Sequence, residues 1–158
     1  MLVYAFGNDI TYTPYEMVTK GDAIKAAYTY TVDSVNYVGY LVYKENGVKI
    51  GDYEGRIYPL VAVSINLSDD SISSSKVISF ATTYGYEGMN SGIEQLIKSF
   101  EGKSATEVAA YTSLSDGGLN VVSSATKSSN GLYKYVVEAC NQYITNDKVN
   151  LVNNGGAE

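Results

Sequence analysis

The chain has no histidine, no tryptophan and one cysteine, Cys140. Without histidine there is no Ser-His-Asp or Cys-His catalytic site and no zinc site with imidazole ligands. One cysteine cannot close an internal disulfide. Cys140 falls on the apolar side of a predicted helix, where a cysteine acts as a small buried hydrophobe. No apolar run approaches the ~20 residues of a membrane-spanning helix. No run of Lys or Arg forms a basic patch, which argues against a nucleic-acid partner.

The 158 residues fit one domain with one core. Hydrophobic residues make up 45% and charged residues 18%, a globular rather than disordered composition. The formal net charge is -6, and there are 16 Tyr beside three Phe. Tyrosine suits half-wet strands, because its ring is apolar and its tip polar. An acidic chain rich in Tyr, Ser and Asn reads as a bacterial surface or secreted protein. Met1 to Phe6 is too short and lacks the basic start of a signal peptide, so an export signal is expected outside this stretch.

Residues 1–26 read as an N-terminal extension, with extended structure at Tyr12-Thr13-Pro14-Tyr15 and a short helix between Tyr15 and Ala27 interrupted by Gly21. From Tyr28 to Val32 and from Val35 to Lys44 the chain is rich in β-branched and aromatic residues. Val38, Tyr40 and Val42 share one face of the second run, and Tyr37, Leu41 and Tyr43 the other. Asn46-Gly47 is a hairpin signal, with Val48-Lys49-Ile50 returning. Arg56 to Leu67 alternates, Val61, Val63, Ile65 and Leu67 against Leu60, Ala62, Ser64 and Asn66. Ser68 to Ser71 is a turn, followed by a strand through Ile72 and Lys76 to Thr83. Ser91 and Ser104 open capping boxes ahead of two short helices. The predicted class is α+β: a twisted antiparallel sheet of about five strands, short helices and a C-terminal amphipathic helix. The domain is expected over 27–145, with 146–158 as a tail or linker.

The chemistry concentrates at Asn120 to Ser129. A hydroxyl-rich loop there opens into a helix whose Leu132, Val136, Ala139, Cys140 and Tyr143 share one face. Ser128 or Ser129 is the expected N-cap. A helix N-terminus offers free N–H donors and the positive end of the dipole, which suits a phosphate. Ser123, Ser124, Thr126, Ser128 and Ser129 add hydroxyls, and Lys127 adds an ammonium.

Ser123-Ser124-Ala125-Thr126-Lys127-Ser128-Ser129 resembles the Ser-Gly-Ala-Thr-x-Thr/Ser-Ser signature of the FMN-binding domain family. That family includes flavin-carrying subunits of the Rnf and Nqr ion-pumping complexes and flavin domains of bacterial surface electron-transfer lipoproteins. The resemblance spans roughly residues 35–145, including Phe100-Glu101-Gly102-Lys103. It implies an FMN phosphoester on Thr126, attached by a flavin transferase, with Ser123, Ser124, Ala125, Lys127 and Ser128 around the phosphate. It also implies that the segment from Tyr84 to Gly92 lies near the flavin ring. Tyr84 and Tyr86 are suited to stacking on the ring, and Glu87 matches an acidic position of the family loop. The family's Gly is Ser124 here, and the Asp upstream of the motif is Asn120.

The function implied is an electron carrier in an extracytoplasmic, lipoprotein-like flavoprotein, not a substrate-processing enzyme. Its partner would be a redox protein or a membrane quinone-linked donor. No catalytic residue and no metal ligand set is assigned. The Ser124 and Asn120 departures motivate an alternative, a member without flavin that acts as a surface binding or structural module. A hydrolase is disfavoured: adjacent Asp69 and Asp70 would point apart in a solvated turn, and the Ser124-to-Lys127 spacing falls in a predicted loop.

Overall fold

β-Branched and aromatic residues recur through the long extended segments, and these pair into one antiparallel sheet. The computed structural model describes residues 6–7, 9–49, 56–82, 90–112 and 126–152. The strands are β1 (Thr13–Pro14), β2 (Ile24–Val32), β3 (Val35–Tyr43), β4 (Val48–Lys49), β5 (Arg56–Asn66) and β6 (Ile72–Thr82). The helices are α1 (Asn90–Lys98), α2 (Ala105–Ala109) and α3 (Thr126–Asn141). A π-helical segment (Gln142–Asp147) and a last turn, α4 (Lys148–Asn150), continue α3. The α+β class expected from the sequence is the class observed. Among the described residues no helix is long and apolar enough to cross a membrane.

The sheet order is β1-β2-β3-β5-β4, with β6 on the other edge of β5. β2 and β3 form a hairpin closed at Val32↔Val35. Its two turn residues, Asp33 and Ser34, have φ of 52° and 67°. Positive φ at both central positions marks the turn that matches strand twist. The Asn46-Gly47 signal does bend the chain, with Gly47 N–H donating to the Lys44 carbonyl. The returning strand, however, does not run back along β3. Val48 pairs with Ile57 and Lys49 with Arg56, so β4 continues the β3 edge of β5.

One face of the sheet carries the core. Val38, Tyr40, Val42, Val61, Val63 and Ile65 are fully buried there, against Ile97, Phe100, Val108, Leu132, Val136, Ala139, Cys140 and Tyr143 of the helices. The predicted strand alternation and α3 face are both observed. A smaller cluster covers the opposite face, where Leu41 and Ala62 pack with Phe6, Ala26, Tyr28, Leu60 and Ile78. The Phe6 ring lies on Gly39, where a β-carbon would meet it at 2.6 Å.

Several local expectations need correction. No helix forms between Tyr15 and Ala27; the chain is irregular until β2, and Tyr15 N–H donates to the Ala27 carbonyl. β2 therefore runs across the expected 26/27 boundary. Ser91 lies inside α1, which starts at Asn90. Ser104 is the N-cap of α2 but makes no side-chain capping bond. α3 begins at Thr126, so Ser128 and Ser129 are in its first turn rather than at its cap. Asn146 to Val152 is not a loose tail: Asp147 and Leu151 are buried.

Candidate functional site

The register of the sheet places two distant parts of the sequence at one end of the molecule. β6 ends at Thr82, which pairs with Ile57; Ile57 pairs in turn with Val48. Val48 packs against the first half of α3 at Gly131, where a β-carbon would meet Val48 Cγ1 at 2.7 Å. The absent side chain at 131 lets the helix approach this edge closely. α1, where the described chain resumes at Asn90, packs on β6 and on α3. Thr82, the last residue of β6, and the first half of α3 thus share this end.

Of the sequence-predicted site, Thr126, Lys127 and Ser128 form the first turn of the 16-residue α3. No acidic residue stands in that turn. An acid-free first turn does not oppose the positive end of the helix dipole. Ser123, Ser124 and Ala125, and Tyr84, Tyr86 and Glu87, lie outside the described residues.

Cys140, 14 positions after Thr126, is fully buried, and burial pushes its thiol up to about 12. A thiol held protonated is no nucleophile at neutral pH.

A second polar centre lies under the C-terminal arm. Asp147 accepts a 2.6 Å bond from the Tyr40 hydroxyl and bonds at 3.2–3.3 Å from Gln142 Nε2. Gln142 Nε2 also donates to the Thr19 carbonyl at 2.6 Å, and Gln142 Oε1 accepts from Gly21 N–H at 2.9 Å. One amide thus ties the N-terminal segment to the C-terminal arm. Burial raises the Asp147 carboxyl above the ordinary range, opposed by the bonds from Tyr40 and Gln142. Burial, and then the neighbouring Asp147 charge, raises Tyr40 well above its usual value.

The predicted solvated turn at Asp69-Asp70 is half right. Asp69 is exposed and caps the turn, accepting bonds from the Ser71 N–H and hydroxyl that lower its carboxyl. Asp70 instead reaches across to the C-terminal arm. It accepts from the Tyr143 hydroxyl at 2.6 Å and pairs with Lys148 at 2.5 Å. Its φ of 63° turns the backbone out of the ordinary region at this point. Burial and the bond to Asp70 raise Tyr143. Sequence reasoning missed Asp147, Gln142 and the reach of Asp70, because their partners lie 73 to 123 positions away along the chain. The one local signal was a Gln and an Asp within a Tyr-rich amphipathic helix pattern.

No protein-family model matches this chain, no curated protein matches it, and no solved structure matches it.

Proposed function

We propose that the chain is an FMN-binding electron-transfer module of an extracytoplasmic bacterial protein, with the flavin phosphate at Thr126 and the ring near the segment 84–92. The observation that carries this reading is the shared end of the sheet. β6 ends at Thr82, which pairs with Ile57; Ile57 pairs with Val48, and Val48 meets α3 at Gly131, five positions after Thr126, which supports a common end for the two halves of the site. A phosphate site and a ring site of one nucleotide need that proximity. The acid-free first turn of α3 supports an anion there.

In this reading Ser123, Ser124, Thr126, Lys127 and Ser128 hold the phosphate, and Tyr84 and Tyr86 cover the ring, with Glu87 beside it. Charge-assisted hydrogen bonds contribute about 1.5–3 kcal/mol each, so Lys127 accounts for roughly a tenfold to hundredfold share of non-covalent affinity. Bound flavin supplies the redox chemistry; the protein supplies binding, orientation and tuning. The lack of histidine then costs nothing, since no side chain has to shuttle a substrate proton. The partner class is a redox protein or a membrane quinone-linked donor.

The test is a visible absorption spectrum after co-expression with a flavin transferase, before and after denaturation. Flavin bands that remain with the denatured chain, and disappear in Thr126→Ala, are the expected result. A colourless protein that also fails to bind added FMN would sink the assignment and leave a surface binding module.

A further inference from the structure

The C-terminal arm leaves α3 through the π-helical segment Gln142–Asp147 and ends in the turn α4. Among the described residues past Tyr143, Leu151 is the arm's one buried hydrophobic side chain, and Val149 is exposed. Polar contacts do much of the holding. Gln142 is bonded to Thr19 and Gly21, Asp147 to Tyr40, and Tyr143 and Lys148 to Asp70. A segment held by few buried apolar contacts opens at a lower free energy than the core it lies on. The end of the arm forms one wall of a cleft of about 690 Å³, where Asn150 and Leu151 stand with Tyr15, Leu67 and Asn36.

Asp147 is the weak point of this hold. It is 1% exposed, and its bonds come from two neutral donors, Tyr40 and Gln142. Lys148, the next residue, is paired with Asp70 instead. From β3 Tyr40 and from the N-terminal segment Tyr15 lie close to the carboxylate. Burial, and then the Asp147 charge, raises both tyrosines, so both stay neutral near pH 7. α2 packs against the π-helical segment with Ala105 and Val108 buried and Glu107 exposed. A buried carboxylate without a cation favours its protonated form, and burial raises this one above its ordinary value. An open arm returns the carboxyl to water. Asp147 therefore holds the arm most firmly below the ordinary value of 3.8, and the hold weakens as pH rises through the raised closed-state value. We propose that the C-terminal arm is a proton-operated latch: protonated Asp147 keeps it on the sheet, and ionisation favours its release and opens the cleft beside Tyr15 and Leu67.

The test is amide hydrogen exchange of the 158-residue protein, from about pH 4 to about pH 8, with the intrinsic exchange rate divided out at each pH. Amides of the arm, residues 142–151, report its opening; amides of β3 and β5 report unfolding of the sheet. The opening constant of the arm is expected to rise at least about threefold from the acid to the neutral end, while staying larger than that of the sheet throughout. Asp147→Asn copies the shape of the protonated acid and is expected to abolish this rise, leaving the arm better protected than the parent's at neutral pH. Lys148→Ala removes the pairing with Asp70 and is expected to loosen the arm at every pH while keeping the rise. Sheet amides show whether each variant is folded, and the parent's own pH series decides the matter if Asp147→Asn does not fold. Three outcomes overturn the latch: an opening constant flat with pH in the parent, an unchanged rise in folded Asp147→Asn, or arm and sheet amides that share one opening constant at every pH.

Discussion

At the scale of the residue, Asp147 is the most consequential side chain that composition alone would pass over. A buried carboxylate is tolerated only when its lone pairs are filled. Tyr40 and Gln142 fill them, and Gln142 in turn satisfies Thr19 and Gly21. Tyr40→Phe removes one donor to a buried acid and should cost about 1.5–3 kcal/mol in urea denaturation, the range for hydrogen bonds to charged groups. Asp147 also links stability to pH. Its folded pKa lies above the ordinary value of 3.8, so the folded chain holds this proton more tightly than the unfolded chain. Its contribution therefore favours folding fully below the ordinary value and is lost as pH rises through the folded value. Asp147→Asn removes this titration. The stability of the parent relative to Asp147→Asn should fall as pH is raised from below 3.8 through the raised pKa, measured by urea midpoints across pH. A difference that is flat or rises with pH would refute the assignment.

At the scale of the element, the β2–β3 hairpin and α3 each hold a position where backbone geometry and side chain are in tension. Ser34 occupies the left-handed region without being glycine, at φ 67°. That conformation costs an L-residue about 1–2 kcal/mol, while glycine's extra unfolded-state entropy costs about 0.5–1 kcal/mol. The first effect is larger, so Ser34→Gly should stabilise the protein by about 0.5 kcal/mol or more, seen as a raised thermal midpoint. α3 presents the reverse case at Gly131. Alanine there would gain about 1 kcal/mol of helix propensity. Its β-carbon, however, would press on Val48 at 2.7 Å, and overpacking of this kind costs about 1–3 kcal/mol. Gly131→Ala should thus be neutral to destabilising. Combining it with Val48→Ala should yield a double variant more stable than the sum of the single effects. Simple additivity would mean that the contact at 131 does not set how closely α3 sits on β4.

At the scale of the whole molecule, the flavin reading occupies the end of the sheet where Thr82, Ile57 and Val48 meet α3. Thr126→Ala should abolish covalent flavin and leave the fold intact, checked by the absorption spectrum of the denatured chain and by a thermal midpoint close to the parent's. Loss of the fold in this variant would show that Thr126 is a structural residue instead.

The sequence by itself determined what local chemistry can determine. Alternation of apolar residues in Val61, Val63 and Ile65 assigned the core face of β5, and helical spacing of Leu132, Val136, Ala139, Cys140 and Tyr143 assigned the buried face of α3. Side-chain period and backbone period act over a few residues, so they are legible in a string. The helix after the Ser-rich stretch was legible for the same reason, although it starts at Thr126 and takes Ser128 and Ser129 into its first turn. What only the tertiary structure decided was which distant groups meet. Asn46-Gly47 promised a hairpin with β3, but β5 offered β4 a free edge and took it. Asp70 read as a solvated turn residue until Tyr143 and Lys148 came within bonding distance. Asp147 read as part of a tail until Tyr40 and Gln142 enclosed it. These contacts follow from how the C-terminal arm packs back on the sheet. That packing is set by the burial of many side chains at once and by no single stretch of the chain.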